Sequence, residues 1–168
     1  AQVAIGGIVQ ATPLRLAWLD RAWDSYTNQY GAEMPVDVWN VHNFVLREEY
    51  QRYGADIPPG FAPDDPRATD YASDWSHIDM QLFDSQIRAF RAWMADHGQQ
   101  EKPLTVSEYG VLYRHCATWY WTGTEYVCTQ TFNNEEVVID FMLATFDYFF
   151  TARDCTIGYV ADGCRLVQ

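Results

Sequence analysis

Residues 104–110 read L-T-V-S-E-Y-G. Leu104, Thr105 and Val106 suit a strand, yet the run ends on a glutamate, a poor strand former. A charge at the tip of an apolar run is costly if it is buried, so Glu108 needs a reason to be there. The strand itself is expected over 103–107, leading directly to Glu108. Upstream, Met80, Phe83, Ile87, Phe90 and Met94 recur at steps of three and four, the stripe of an amphipathic helix. Ser76 with Asp79 resembles a capping-box start for it, and Gly98 stops it. Downstream, Val138, Phe141, Met142, Thr145 and Phe149 mark a helix over about 135–152, capped by Asn133 or Asn134.

The same alternation extends to the N-terminus. A strand is expected over 3–9, followed by a helix with Leu16, Leu19, Trp23, Tyr26 and Tyr30 on one stripe and Gly31 as its stop. A second strand is expected over 35–44, P-V-D-V-W-N-V-H-N-F. The tail after 155 is turn-rich and shows no clear element. A β-α-β-α-β-α order implies a parallel sheet with crossover helices, an α/β fold of parallel β-α repeats, in a single domain over 1–168. Helix-to-strand links are short, at 31–35 and 98–103. The links 45–75 and 110–133 are long. The first holds Pro58, Pro59, Pro63 and Pro66, and the second Trp119, Tyr120, Trp121 and Tyr126. Long, aromatic-rich connections therefore gather at the C-terminal ends of the strands, where parallel α/β folds place ligand sites.

Composition narrows the partners. The 168 residues are 48% hydrophobic and 20% charged, a globular balance, with 16% aromatic residues. The net charge of −12 repels phosphate backbones and anionic headgroups, so neither nucleic acid nor a membrane surface is expected as a partner. No apolar run approaches the ~20 residues that span a bilayer. The start, A-Q-V-A-I-G-G-I-V-Q, lacks the pattern of a signal peptide, so a secreted protein would carry its signal outside this chain. Cys116, Cys128, Cys155 and Cys164 form no C-x-x-C and no zinc-finger spacing. Four cysteines allow three connectivities. The local pairs 116–128 and 155–164 close short loops, so two disulfides and an oxidising, extracellular compartment are expected.

Several chemistries lack their motifs. There is no G-x-G-x-x-G, no phosphate-binding G-x-x-x-x-G-K, no G-x-S-x-G and no H-E-x-x-H. No cofactor and no metal are expected, and His77 and His97 read as surface residues at helix ends. A carboxylate at a strand tip among aromatics suits glycoside hydrolysis, whose oxocarbenium-like transition state a carboxylate can stabilise or attack. Sugars present apolar faces and hydroxyl edges, which calls for aromatic platforms and polar groups. Trp39, Trp119, Trp121 and Tyr126 are candidate platforms, Tyr109 is a further candidate substrate contact, and Asn40 and His42, late in the second strand, are candidate hydrogen-bonders.

K-P-L-T-V-S-E-Y-G resembles the seventh strand of the clan A (β/α)8 glycoside hydrolases, where an apolar strand ends in a Glu followed by an aromatic residue and Gly. That Glu is the nucleophile of a retaining mechanism, which implies the role for Glu108. V-D-V-W-N-V-H-N-F resembles the preceding strand six, whose late His or Tyr lines the adjoining sugar subsite, which implies the role for His42. V-A-I-G-G-I-V-Q would then be strand five. The resemblance implies a partial (β/α)8 (TIM) barrel acting on an oligo- or polysaccharide.

Three β-α units are less than half of a barrel of ~250 residues. The chain is accordingly read as a fragment, or as one completed by another chain or by self-association. The acid/base of such enzymes is the Glu of an Asn-Glu pair at strand four. The pair present, Asn134-Glu135, reads as a helix cap, and Asp37, Glu48, Glu49 and Glu125 lie on an early strand position or on loops. The acid/base is therefore expected outside this chain. Two non-enzymatic readings stand beside this one: a carbohydrate-binding or self-assembling protein derived from such a fold, and a secreted α/β domain in which Glu108 only pairs with a neighbour.

Overall fold

A computed structural model describes residues 2–52, 54–71, 74–112, 116–131 and 135–168. Helix α1 spans Pro13–Tyr30, strand β1 Trp39–His42, helix α2 Met80–Asp96 and strand β2 Leu104–Glu108. Strands β3, Cys116–Trp121, and β4, Tyr126–Thr131, follow, and then helix α3, Glu135–Thr151. Thr12 caps α1 through its hydroxyl, Pro13 opens it where no amide donor is needed, and Gly31 closes it at φ 64°. The cap of α2 is Asp79, whose carboxylate accepts from the Gln81 and Leu82 amides. The expected start at Ser76 lies instead in a 3-10 turn over Asp74–Ile78.

The partial (β/α)8 barrel is not what the chain forms. Its described residues make two separate two-stranded sheets, β1–β2 parallel and β3–β4 antiparallel, with three α-helices. Two local causes account for the difference. The expected first strand meets β1 and the residue before it at isolated parallel bridges, Ala4 with Val38 and Ile8 with Val41. The pair Gly6-Gly7 lies between those bridges, and glycine supplies neither strand propensity nor a side chain to pack. The link 110–133, expected to be a long connection, holds the β3–β4 hairpin, closed by a turn in which the Thr122 amide donates to the Glu125 carbonyl at 2.9 Å.

One face of the parallel pair is covered. Trp39, Val41 and Leu104 bury against Leu19 and Trp23 of α1 and Phe90, Trp93 and Met94 of α2. The rings of Trp23, Phe90 and Trp93 lie 6.2, 6.2 and 5.1 Å from that of Trp39. A second cluster joins Phe83 and Ile87 of α2 to Phe141 of α3 and to Leu166 and Val167 of the tail. The tail is thus more ordered than its turn-rich sequence suggests. The Gln168 amide donates to the Leu104 carbonyl at 2.9 Å. Buried Arg91 donates to the carbonyls of Leu166 and Lys102 and to the Gln168 side chain, and burial pulls its pKa down to about 10. A disulfide links Cys155 to Cys164. Cys128 is also disulfide-bonded, and the side chain of Cys116 lies outside the described residues, as do Asn133 and Asn134.

Two further expectations change. His77, read as a surface residue, is buried. Helix α3 turns only Phe141 and Thr145 fully inward, while Ile139, Leu143, Phe146 and Phe150 form an exposed apolar stripe along its outer side. No helix among the described residues is long and apolar enough to cross a membrane. That fact and the disulfide are compatible with an oxidising or secreted location.

Candidate functional site at the end of the parallel strands

Strand β1 alternates. Trp39 and Val41 point into the core, and Asn40 and His42 point to the opposite face. Strand β2 runs beside it in register, Trp39 with Leu104, Asn40 with Thr105 and Val41 with Val106. A shift then intervenes, and His42 pairs with Glu108 rather than Ser107. An extra residue in one strand re-aims the side chains that follow it, because side-chain direction has a period of two. Here the bulge brings the carboxylate opposite the imidazole. His42 Nε2 lies 3.5 Å from Glu108 Oε1, with the side chains 22% and 61% exposed.

The backbone around this pair is pinned on both sides. The His42 amide donates to the Ile8 carbonyl and the Asn43 amide to the Glu108 carbonyl, each at 2.8 Å. The Asn43 side chain is buried and donates to the Phe83 carbonyl at 3.1 Å, fixing the exit of β1 to α2. The rings of His42 and Phe44 stand perpendicular, with centroids 6.3 Å apart. Asn40 Oδ1 is buried with no hydrogen-bond partner among the described residues. The arrangement offers a solvent-facing carboxylate, an imidazole able to donate to it, and an amide beside them. Those groups suit hydroxyl recognition and attack on an electrophilic carbon.

Asn40, His42 and Glu108 thus come together, and the other candidates do not join them. Trp39 is fully buried and its indole donates to Gln99 at 3.4 Å, so it presents no face to a ligand. Tyr109 packs between Phe83 and Phe149, at ring separations of 5.8 and 5.3 Å, and its hydroxyl accepts from Thr145. It is a member of the second core rather than a platform. Trp119 and Trp121 are half exposed on β3. Residues two apart on a strand share a face, and Tyr126, paired across from Trp121, brings its ring to 4.8 Å. No hydrogen bond, ion pair or ring contact links these aromatics to Glu108 among the described residues.

Three of the other carboxylate candidates, Glu48, Asp37 and Glu49, have other employment, and Glu125 lies in the turn of the hairpin. Glu48 is buried, accepting from the Thr12 hydroxyl, Arg15 Nε and the Thr69 amide. It ties the loop after β1 to the start of α1. Asp37 accepts from the Val3 amide near the opposite end of β1, and Glu49 pairs with Arg52. The residues that the sequence reading missed are Ser107, the extra residue of the bulge, and Gly7, which packs against His42 and Asn40. A glycine pair inside a strand-like run was the available signal for Gly7. No protein-family model, curated protein or solved structure matches the chain.

Proposed function

We propose that the face bearing Asn40, His42 and Glu108 is a carbohydrate site, and that Glu108 is the nucleophile of a retaining glycoside hydrolysis. The observation that carries the reading is the His42–Glu108 pair, at 3.5 Å, produced by a bulge at the C-terminal end of two parallel strands. The likeness of K-P-L-T-V-S-E-Y-G to the nucleophile strand of clan A glycoside hydrolases supports the same role. In the first step a Glu108 oxygen forms a bond to the anomeric carbon as the glycosidic C–O bond breaks. Water then displaces the sugar from the ester. His42 and Asn40 orient the carboxylate and the sugar hydroxyls. The proton for the leaving oxygen comes from an acid outside this chain, and the working protein is extracellular.

A 2-deoxy-2-fluoro glycosyl fluoride tests the nucleophile by itself, because fluoride departs without a proton donor. Incubation with a panel of such sugars is expected to add one glycosyl mass to the chain, with the peptide containing Glu108 carrying it. Equal labelling of Glu108→Gln would remove Glu108 from the role.

A second reading rests on a separate observation, the exposed aromatic face of the hairpin, where Trp119 and Trp121 share a side. On that reading the chain binds polysaccharide without cleaving it, and the apolar stripe of α3 mediates self-association. Retention on an insoluble polysaccharide by Glu108→Gln, with no labelling of the wild type, would favour it.

A further inference from the structure

Two adjacent glycines lie between the backbone contacts that fasten the N-terminal segment to β1. The Ile5 amide donates to the Val38 carbonyl at 3.2 Å, and the Ile8 carbonyl accepts from the His42 amide at 2.8 Å. Their surroundings differ sharply. A Cβ on Gly6 would meet nothing within 4 Å. A Cβ on Gly7 would sit 2.6 Å from His42 Cδ2, 2.9 Å from His42 Nε2 and 3.2 Å from Asn40 Nδ2. Neither glycine has a positive φ, so backbone conformation does not demand glycine at either position. Space demands it at Gly7 alone.

We infer that Gly7 is a positioning residue: the side chain it lacks is the room in which the His42 imidazole and the Asn40 amide are seated beside Glu108. Next to the most crowded atom, Cδ2, stands Nε2 at 2.9 Å, the atom that faces Glu108 at 3.5 Å. With the flanking backbone fastened, a methyl group at position 7 has to be accommodated by rotation of the ring or the amide. Either movement opens the pair. The placement follows from geometry, and its consequence for turnover rests on the glycosidase reading.

The test compares Gly7→Ala with Gly6→Ala, each alone and combined with Glu108→Gln or His42→Ala. The first readout is the His42 ring resonance in a 1H–13C correlation spectrum. Glu108→Gln is expected to move it in the wild type and in Gly6→Ala, and to leave it unmoved in Gly7→Ala. A response of equal size in Gly7→Ala overturns the inference while the glycosidase reading stands. No response in the wild type removes the His42–Glu108 pair, and both fall. Positive spectra without glycosyl-fluoride labelling leave Gly7 as a positioning residue and remove the catalytic reading. The second readout is thermal unfolding, which remains decisive if Gly7→Ala folds poorly. Gly7→Ala is expected to lower Tm by roughly 5 °C, and by much less in the His42→Ala background. An equal drop in both backgrounds, or an equal drop for Gly6→Ala, overturns it.

Discussion

The β1–β2 pair and the β3–β4 hairpin are both small and two-stranded, and they differ in what lies beneath them. Under β1 and β2 two helices press a tryptophan-lined core against one face, leaving the other face to Asn40, His42 and Glu108. Strand β3 holds Trp119, Tyr120 and Trp121 all about half exposed or more, and none of the hairpin's described side chains joins a buried cluster. An isolated hairpin is marginal in water, so the hairpin's order is local while that of the parallel pair is supported from below. Side chains held within a few tenths of an ångström belong on the supported sheet, since attack geometry tolerates little error. Stacking on sugar faces tolerates more, and a hairpin with sparse support can serve it.

The largest test of the contrast goes to the support. Trp39→Ala removes the ring at the centre of the cluster formed by Trp23, Phe90 and Trp93. It is expected to cost about 3–5 kcal/mol in urea-induced unfolding, the range for emptying a large aromatic site in a core. The His42–Glu108 pair should loosen with it, because His42 sits three residues along the same strand. A loss under about 1 kcal/mol would mean that the parallel pair is held by something other than this cluster.

Acid offers a smaller probe of the same support. Asp154 accepts from the Thr156 hydroxyl and amide and pairs with Arg88 of α2 at 2.8 Å. The Thr156 hydroxyl, then its amide, then Arg88 hold the carboxyl below its ordinary value of 3.8. A depressed pKa in the folded state contributes stability that is complete above the unfolded value and is lost as the pH falls through the folded one. The Tm deficit of Asp154→Asn relative to wild type should therefore be constant above about pH 5 and shrink as the pH falls below 3.8. Asp154 is solvent-accessible, so the deficit is expected to be modest. A deficit independent of pH down to about 2 would show that the charge of Asp154 does not matter to the fold.

What could be read from the sequence follows the same division between local and distant causes. All three helices were legible, because a 3.6-residue apolar period and the stops at Gly31 and Gly98 are local signals. The strand bearing Glu108 was legible for the same reason, and so was the disulfide-prone Cys155–Cys164 loop. Three things were not. A hairpin in 110–133 carries no Asn-Gly or Asp-Gly turn to announce it. The bulge at Ser107 depends on how β2 is fitted against β1, and a single strand cannot reveal a register. The separation of buried Trp39 from exposed Trp119 and Trp121 turns on which helices arrive beneath each strand, so an aromatic at a strand end reads alike in either setting. Alternation of helix and strand suggested a repeating barrel, yet the Gly6-Gly7 segment does not complete a third strand and the hairpin breaks the repeat.

The smallest stability effect belongs to the hairpin, where it is the most informative. Trp121 is 50% exposed, and its ring meets that of Tyr126 across the turn at 4.8 Å. Trp121→Ala should change the unfolding free energy by no more than about 0.5 kcal/mol, as expected for a surface site away from the core. If the hairpin is a sugar platform, the same substitution should weaken retention on polysaccharide several-fold, because an aromatic face contributes binding through its area and its C–H contacts rather than through the fold. Glycosyl-fluoride labelling of Glu108, a reaction at the other sheet, should persist. The three readouts separate what the two regions do. Lost binding with unchanged stability assigns the hairpin to ligand capture. A destabilisation near that of Trp39→Ala would show instead that the hairpin is packed against the body of the protein, and the contrast between the two sheets would disappear.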